Sequence, residues 1–198
     1  MTPHPDITAV ILAGGRGSRM GGLDKGLVDF KGRPLISHVI DAIAGQVEAL
    51  LINANRNLER YGEFGYPVVS DSLGEYQGPL AGLLAAMRVA RTRDIVTLPC
   101  DGPLIRDDLV ERLLQARRRD RAEIAVAHDG QRLQPVYALI PVALRESLQV
   151  YLDGGDRKID LWYTRHSMAL ADFSDMPMSF VNINTAEERE RLLQSDAP

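Results

Sequence analysis

Short apolar segments alternate with helical patterns along the first half of this 198-residue chain. The apolar segments lie at residues 7–13, 49–53, 68–70 and 95–98 and have the composition of buried strands. Between them, apolar side chains recur at helical spacing over 34–44 and again from Pro79, and proline is favoured in the first turn of a helix. The alternation predicts an α/β fold, a single three-layer domain in which helices cover both faces of a mostly parallel, Rossmann-like central sheet.

The second half of the chain shows a different order of patterns. They predict a helix from residue 109 that runs into Arg117-Arg118-Arg119, then a hairpin, two more helices, a last strand and a terminal helix. The hairpin strands are expected at 123–127 and 136–140, the helices at 142–152 and 157–165, and the last strand at 180–184. Thr185 and Glu188 have the spacing of a capping box that opens the terminal helix. We expect the three arginines to be solvent-exposed cations in the last turn of their helix.

Size and charge limit the classes of function. A chain of 198 residues with 45% hydrophobic residues can bury one sizeable core, so we expect a single domain over 1–198. The net charge of −4 argues against a nucleic-acid partner, which would require a positive field over one face. The first apolar run is too short for a signal core or a membrane span, so we expect no membrane contact and a cytoplasmic location. Cys100 is the single cysteine, which fits a reducing compartment, and the four histidines lack zinc-like spacing.

Residues 10–25 carry the strongest chemical signal. An apolar, β-branched run ends abruptly in Gly14-Gly15, so backbone amides can approach a ligand closely at the end of a strand. Two arginines and a lysine follow, and amides together with cations suit a polyphosphate. The motif GxxxxGK[ST] is absent from this segment. The nearest match to GxGxxG has Met20 where the third glycine would be, so that motif is excluded as well. It resembles instead the LxGGxGxRMG and DK signature of the nucleotidyltransferases that activate sugars and cofactors, in which the loop wraps a nucleoside triphosphate and the lysine, here Lys25, contacts its phosphates.

Asp101 lies just beyond the strand predicted at 95–98, at an edge where open α/β sheets place their ligands. Magnesium prefers oxygen ligands and often combines one or two carboxylates with substrate phosphates, so Asp101 is a candidate Mg²⁺ ligand. The alternative is that Asp101 caps a helix that starts near 104–106. Cys100 has no histidine nearby in the sequence to activate it, and we expect it to be packed in the core.

Asn53 ends the second predicted strand and Asp71 follows the third, so both point toward the same edge. Guanine presents adjacent N1–H and N2 amine donors beside the O6 acceptor, and a carboxylate with an amide can recognise that edge. The alternative is that both residues form turns by bonding their own backbone. The glycines of 78–82, and the helix that starts there, offer further amides for a base or a ribose.

Several segments together resemble the molybdenum cofactor guanylyltransferase family. They are Leu-Ala-Gly-Gly at 12–15, Asp24-Lys25, Asn-Ala-Asn-Arg at 53–56, Asp71, Gly-Pro-Leu-Ala-Gly at 78–82, Pro-Cys-Asp at 99–101 and Asn-Ile-Asn-Thr at 182–185. The resemblance spans nearly the whole chain. It implies transfer of GMP from GTP to the terminal phosphate of molybdopterin, release of pyrophosphate and formation of the guanine dinucleotide form of the cofactor. It also implies Mg²⁺ as the enzyme's own cofactor, with Asp101 as a ligand.

The same resemblance implies roles for individual residues. Lys25, Arg19 and Asp101 are the expected catalytic residues, because Lys25, Arg19 and Mg²⁺ neutralise charge on the triphosphate during attack on the α-phosphorus and Asp101 holds the metal. The expected nucleotide-binding residues are Leu12, Ala13, Gly14, Gly15, Lys25, Asn53, Asp71 and Asp101. The expected acceptor-binding residues are Arg157, Lys158, Asn182 and Asn184. The domain is thus expected to have a nucleotide-binding half over about 1–101 and an acceptor-binding half over about 102–198.

The sequence leaves two other functions open. A cytidylyltransferase acting on molybdopterin or another phosphorylated acceptor would share the phosphate and metal residues, so only the base pocket separates it from a guanylyltransferase. A noncatalytic carrier of nucleotide or pterin would not need the charge stabilisation that Lys25 and Asp101 offer at a transferring phosphate. The expected partners are GTP and molybdopterin as substrates, with molybdoenzymes or their chaperones as possible recipients of the product. The chain is expected to act as a monomer.

Overall fold

The structure is a computed structural model that describes residues 3–14, 24–71 and 78–194. Its strands are β1 (His4–Leu12), β2 (Asp29–Phe30), β3 (Arg33–Pro34), β4 (Val47–Asn53), β5 (Val68–Val69), β6 (Asp94–Pro99), β7 (Ile124–His128), β8 (Leu133–Pro141) and β9 (Met168–Asp172). Its α-helices are α1 (Leu35–Ala44), α2 (Leu58–Gly62), α3 (Pro79–Val89), α4 (Leu109–Asp120), α5 (Arg145–Asp153), α6 (Ile159–Tyr163) and α7 (Ala186–Gln194). Short 3₁₀ helices lie at Lys25–Leu27, Val142–Leu144 and Pro177–Phe180.

Within the described residues, seven strands form one sheet in the order β5-β4-β1-β6-β8-β7-β9. Strands β5, β4, β1 and β6 are parallel to one another, and β7 is parallel to β9. Strand β8 is antiparallel to both of its neighbours, β6 and β7, and with β7 it forms the expected hairpin. Strands β2 and β3 pair separately. The prediction of a mostly parallel central sheet is confirmed.

Helices cover both faces of this sheet. Side chains of β1 alternate between the faces, as in any strand. Ile7, Ala9 and Ile11 pack in a core cluster with residues of α1 and α4, whereas Val10 packs in a cluster with residues of α3, α5 and α6. All four side chains are almost completely buried, so the three-layer α/β prediction is confirmed. Among the described residues, no helix has both the length and the apolar character that crossing a membrane requires.

Local sequence signals account for where two helices begin. Helix α3 has Pro79 in its first turn, preceded by Gly78 at a φ of 82°, a conformation that favours glycine. Helix α7 opens with the predicted capping box, because Glu188 N–H donates to Thr185 Oγ1 at 3.1 Å and Thr185 N–H donates to Glu188 Oε2 at 3.1 Å. Both signals were visible in the sequence.

The predicted last strand at 180–184 is wrong. Phe180 ends the 3₁₀ helix that begins at Pro177, and the residues that follow are not paired in the sheet. Ile183 N–H donates instead to the carbonyl of Asp101 at 2.9 Å, which ties this segment to the end of β6. The strand that pairs with β7 near the C-terminus is β9, which the sequence analysis missed.

The expectation that Arg117, Arg118 and Arg119 are all solvent-exposed is also wrong at Arg117. Its guanidinium donates to both carboxylate oxygens of Asp94, at 2.8 and 2.7 Å. The Asp94 side chain is only 2% exposed, and a carboxylate buried to this degree requires a cation or hydrogen-bond donors. Arg119, by contrast, is 63% exposed and pairs with the neighbouring Asp120. Of these arginines, Arg117 therefore forms a structural ion pair, with the buried Asp94.

Candidate active site

The candidate site lies where three parallel strands end side by side. Leu12 of β1 is in register with Asn53 of β4 on one side and with Pro99 of β6 on the other. Ala13 N–H donates to the Asn53 carbonyl at 2.8 Å, and Cys100 N–H donates to the Leu12 carbonyl at 3.2 Å. The residues that follow these strands therefore share one edge of the sheet, the position at which open parallel sheets bind ligands.

Lys25, Asp101 and Asn184 meet at this edge although they are far apart in the sequence, and we call them the lysine cluster. Lys25 Nζ donates to Asp101 Oδ2 at 3.1 Å and to Asn184 Oδ1 at 2.6 Å. The Lys25 side chain is 26% exposed and that of Asp101 10%, so both charges are partly shielded from water, which strengthens their action on a ligand. The structure thus joins two of the expected catalytic residues to an expected acceptor residue. The predictions for Arg19 and Gly15 lie outside the described residues.

The alternative role of Asp101 as a helix cap is wrong. In the part of the chain that the structure describes, no helix begins near 104–106, and α4 begins at Leu109. Cys100 is 5% exposed, as expected for a packed residue. Burial, followed by the nearby charges of Asp101 and Asp24, raises the pKa of the Cys100 thiol, so it remains neutral and is a poor nucleophile.

A second group of polar side chains, Asn53, Asn55 and Asp71, lies at the ends of β4 and β5, and we call it the amide–carboxylate cluster. Asp71 Oδ1 accepts from Asn53 Nδ2 and Asp71 Oδ2 from Asn55 Nδ2, both at 2.8 Å. Asp71 N–H in turn donates to Asn55 Oδ1 at 2.8 Å. These hydrogen bonds join the end of β4 to the end of β5. They differ from the alternative, in which Asn53 and Asp71 would each form a local turn by bonding their own backbone. Two amides therefore hold the Asp71 carboxylate in one orientation.

Asn53 and Asp71, the two residues predicted to recognise the base, differ in how accessible they are to a ligand. Asn53 is 2% exposed, and its amide also donates to the Val69 carbonyl at 3.1 Å. Both N–H groups of the Asn53 amide therefore donate to protein oxygens. Asp71, by contrast, is only partly buried, and each oxygen of the Asp71 carboxylate can accept a further hydrogen bond from a ligand. Asn55 was not among the predicted site residues, although its spacing of two from Asn53 places both side chains on one face at a strand end.

Two glycines allow neighbouring segments to approach the amide–carboxylate cluster. A Cβ at Gly82 in α3 would lie 2.1 Å from Asn53 Oδ1, and one at Gly14 would lie 3.2 Å from Asn55 Nδ2. Real Cβ atoms do not approach a neighbour as closely as the first distance, so only glycine fits at position 82 without displacing Asn53. Gly14, just beyond the end of β1, and the start of α3 therefore both pack on this cluster.

Asn182 presents an unsatisfied oxygen beside the lysine cluster. Its Oδ1 is buried and has no hydrogen-bond partner among the described residues, and a Cβ at Gly102 would lie 3.2 Å from it. The next residue, Ile183, bonds to the Asp101 carbonyl. No group of three His, Cys, Asp or Glu residues within the described ranges could hold a metal ion alone. One carboxylate and one amide oxygen nevertheless fit a hard divalent cation whose remaining ligands are substrate phosphates and water.

Tyr137 is a further polar residue at this position that the sequence analysis missed. Its hydroxyl is buried and unpaired among the described residues, and it would lie 2.1 Å from a Cβ at Gly102. Burial, followed by the charge of Asp101, raises the pKa of Tyr137, so the group is a neutral hydroxyl. No local motif in the sequence indicated it, because β8 brings it there from the middle of the hairpin.

The two remaining acceptor candidates lie beside the start of α3. Arg157 Nη1 donates to the carbonyls of Leu152 and Asp156, both at 2.7 Å, and the Lys158 side chain is exposed. A Cβ at Gly78 would lie 4.0 Å from the Arg157 carbonyl. The structure therefore places this segment next to α3, and its contact with an acceptor stays a prediction.

Comparisons with known proteins agree on one family. The model of the MobA-like NTP transferase domain matches residues 9–168. The molybdenum cofactor guanylyltransferase of Shewanella sediminis is 52% identical over 191 residues, 96% of this chain and 97% of that protein. That of Shewanella loihica is 52% identical over 193 residues, 98% of both. The structure of molybdopterin-guanine dinucleotide biosynthesis protein A from Archaeoglobus fulgidus shares the fold, with a TM-score of 0.75 at 21% identity over 93% of this chain and 95% of that one. The chain therefore belongs to the family of MobA-like NTP transferase domains and is a nucleotidyltransferase.

Proposed function

We propose that this enzyme transfers GMP from GTP to the terminal phosphate of molybdopterin, releasing pyrophosphate and forming molybdopterin guanine dinucleotide. The observation that carries the proposal is the placement of the lysine cluster and the amide–carboxylate cluster on one edge of the sheet. One cluster suits phosphates and the other suits a base with adjacent donors. The names of the curated relatives, at about half identity over nearly the whole chain, support the same substrates.

Base selection rests on the Asp71 carboxylate. Guanine N1–H and its N2 amine are adjacent donors, and the two carboxylate oxygens can each accept one of them. Cytosine presents N3 and O2 acceptors at the corresponding edge and would be repelled by the same carboxylate. Asn53 and Asn55 hold the carboxylate in place by their 2.8 Å hydrogen bonds, so the enzyme need not reorganise it when GTP binds.

The chemistry needs no protein nucleophile. An oxygen of the acceptor phosphate forms a bond to the α-phosphorus of GTP, the bond from that phosphorus to the oxygen bridging to the β-phosphorus breaks, and pyrophosphate leaves with the electron pair. Catalysis then depends on alignment of the two substrates and on neutralising charge on the triphosphate. Lys25 supplies one positive charge at the edge, and Asn184, which accepts from Lys25 Nζ, orients it.

We propose Mg²⁺ as the divalent cation of this reaction. The Asp101 carboxylate and the unpaired Asn182 Oδ1 would hold it, because both are oxygen donors beside the position assigned to the phosphates. The ion would contribute charge neutralisation and alignment of the phosphates. We also propose that the chain has a nucleotide-binding half at about 1–101, which contains Lys25 and Asp71, and an acceptor-binding half at about 102–198, which contains Arg157.

The remaining proposals concern the state of the protein. We propose that it acts as a monomer in the cytoplasm, that it has neither a nucleic-acid nor a membrane partner, and that molybdoenzymes or their chaperones receive its product. The net charge of −4 and the single, buried Cys100 support the compartment and the absence of nucleic acid. Size-exclusion chromatography with light scattering would measure the mass of the particle, and a dimer would overturn the monomer proposal.

The direct test is an assay with each nucleoside triphosphate. Purified protein is incubated with molybdopterin, Mg²⁺ and GTP, CTP, ATP or UTP, and the products are identified by mass spectrometry. The guanine dinucleotide and pyrophosphate are expected from GTP. Equal or better use of CTP would favour the cytidylyltransferase alternative, and binding of both substrates without any dinucleotide would favour a carrier.

A further inference from the structure

Asp24, Asn57 and Tyr61 form a hydrogen-bonded group next to the lysine cluster, in which Asp24 and Tyr61 are buried and Asn57 is exposed, and we call it the Asp24 anchor. The Tyr61 hydroxyl donates to Asp24 Oδ1, and Asn57 Nδ2 donates to Asp24 Oδ2 at 3.1 Å. Asp24 is 8% exposed and Tyr61 is completely buried. A carboxylate removed from water is costly unless its oxygens are hydrogen-bonded, so these two donors make the position of Asp24 specific. Its neighbour Lys25 instead contacts Asp101 and Asn184.

The anchor also fixes the backbone that carries Lys25. Asp24 precedes the 3₁₀ helix Lys25–Leu27, and its carbonyl accepts from Leu27 N–H at 3.0 Å. A Cβ at Gly26 would lie 2.7 Å from the Tyr61 hydroxyl and 3.2 Å from Cys100 Cβ. The turn therefore packs closely against Tyr61 on one side and against the residue before Asp101 on the other, which leaves the Lys25 backbone little freedom to shift.

The anchor connects the two parts of the site. Asn57 and Tyr61 belong to the segment that follows β4, the same segment that carries Asn55 of the amide–carboxylate cluster. Asn57 has a φ of 51°, and its carbonyl accepts from Tyr61 N–H at 3.0 Å, so the two anchor donors are also held to each other. A continuous set of hydrogen bonds therefore runs from the segment that carries Asn55, through Asp24, to the turn that carries Lys25.

We propose that Asp24 and Tyr61 are positioning residues that hold Lys25 in register with the triphosphate, through the hydrogen bond from the Tyr61 hydroxyl to the Asp24 carboxylate. The inference rests on the proposed function and adds to it a role for residues that touch no substrate. Small misplacements of a charged group cost much more in turnover than in substrate affinity when that group acts mainly in the transition state. The anchor should therefore affect kcat rather than the KM for GTP.

The test compares Tyr61→Phe with the matched control Tyr163→Phe. Both tyrosines are buried, and each donates one hydroxyl hydrogen bond, that of Tyr163 to the Pro135 carbonyl at 2.8 Å. We expect Tyr61→Phe to lower kcat about ten- to a hundredfold with a KM for GTP changed less than about threefold. Tyr163→Phe should lose a comparable amount of stability in thermal unfolding while keeping kcat near the wild-type value.

A second measurement does not depend on activity. The chain has three lysines, Lys25, Lys31 and Lys158, so NMR spectra of protein with ¹³C-labelled lysine contain few signals, and Lys25→Arg identifies the one from Lys25. We expect that signal to shift in Tyr61→Phe and in Asp24→Asn, and to keep its position in Tyr163→Phe. Asp24→Asn preserves the shape of the side chain but turns an amide N–H₂ toward a donor, and it serves as a second variant if Tyr61→Phe is unstable.

The outcomes separate this inference from the proposed function. Absence of dinucleotide formation by the wild-type protein would overturn the proposed function, whereas the lysine spectra would still report whether the anchor positions Lys25. An unchanged Lys25 signal in Tyr61→Phe would overturn the inference. So would a kcat for Tyr61→Phe within about twofold of the Tyr163→Phe value, because the Tyr61 hydroxyl would then contribute stability alone.

Discussion

Replacing Gly82 by alanine should disturb the amide–carboxylate cluster from within α3. The added methyl would lie 2.1 Å from Asn53 Oδ1, 2.7 Å from Asn53 Cγ and 2.9 Å from Leu12 Cδ2. None of these atoms is the free end of a long side chain, and both Asn53 and α3 are buried in this region. Asn53 must therefore move, and its hydrogen bonds to Val69 and Asp71 are lost or weakened.

The size of the effect follows from those two bonds. Leaving a buried acceptor without its donor costs about 1–3 kcal/mol, and the partly exposed Asp71 belongs at the lower end of that range. Alanine stabilises a helix interior by about 1 kcal/mol relative to glycine. We therefore expect the free energy of unfolding to fall by about 1–3 kcal/mol in total. For a chain of this size that corresponds to a melting temperature lower by about 3–10 °C. Asp71 also loses one of two orienting amides, which should raise the KM for GTP about tenfold.

Thermal unfolding and GTP titration of Gly82→Ala measure both effects. Gly45→Ala is the matched control, because Gly45 lies after α1 at a φ of −74° and a Cβ there would meet nothing within 4 Å. The control should melt at or slightly above the wild-type temperature and bind GTP normally. If Gly82→Ala melts no lower than Gly45→Ala and has an unchanged KM for GTP, the packing argument at Asn53 is wrong.

Three further predictions concern other parts of the molecule. Asp71→Ala should erode the preference for GTP over CTP in a competition assay, and undiminished selectivity would contradict the assignment of the base pocket. The double variant Arg157→Ala/Lys158→Ala should raise the KM for molybdopterin far more than that for GTP, whereas an unchanged molybdopterin KM would mean that neither residue contacts the acceptor. Burial would raise the pKa of Asp108, but hydrogen bonds from Arg106 and then Arg112 hold that pKa below its ordinary value. Because that carboxylate stabilises the fold only while ionised, the free energy of unfolding should fall as the pH drops below about 4. Urea denaturation from pH 3 to 6 should show a smaller fall in Arg112→Ala, and equal falls would contradict the ion-pair argument.

The sequence predicted those parts of the fold that depend on local patterns. The runs at 7–13, 49–53 and 95–98 were predicted as strands because each is apolar and is followed by turn-forming or polar residues, and they correspond to β1, β4 and β6. The same patterns placed Asp71 and Asp101 at the correct edge. Strand β9, with the sequence Met-Ala-Leu-Ala-Asp, was missed because alanine gives little strand signal. Residues 180–184 alternate like a strand but extend from a 3₁₀ helix and bond to Asp101 instead of a sheet.

Contacts between distant segments were the part that the sequence could not predict. The pairing of Lys25 with Asn184 joins residues near opposite ends of the chain. No pattern of apolar and polar residues along the sequence predicts such a contact. The Asp24–Tyr61 bond and the Arg117–Asp94 pair are of the same kind. In each case the residue type was visible, but its partner was decided by how helices and loops pack around the sheet.

We infer that GMP transfer takes place at the edge that holds Lys25, Asp101 and Asn184, and the variant Asp101→Asn is the sharpest test of this claim. The substitution keeps the shape of the side chain and removes the charge that pairs with Lys25 and that would hold Mg²⁺. Initial rates of dinucleotide formation are measured across a magnesium titration, with circular dichroism and thermal unfolding to show that the variant is folded. We expect a folded protein whose turnover is lower by about two orders of magnitude or more at every Mg²⁺ concentration. A folded Asp101→Asn variant with near-normal transfer would contradict the claim.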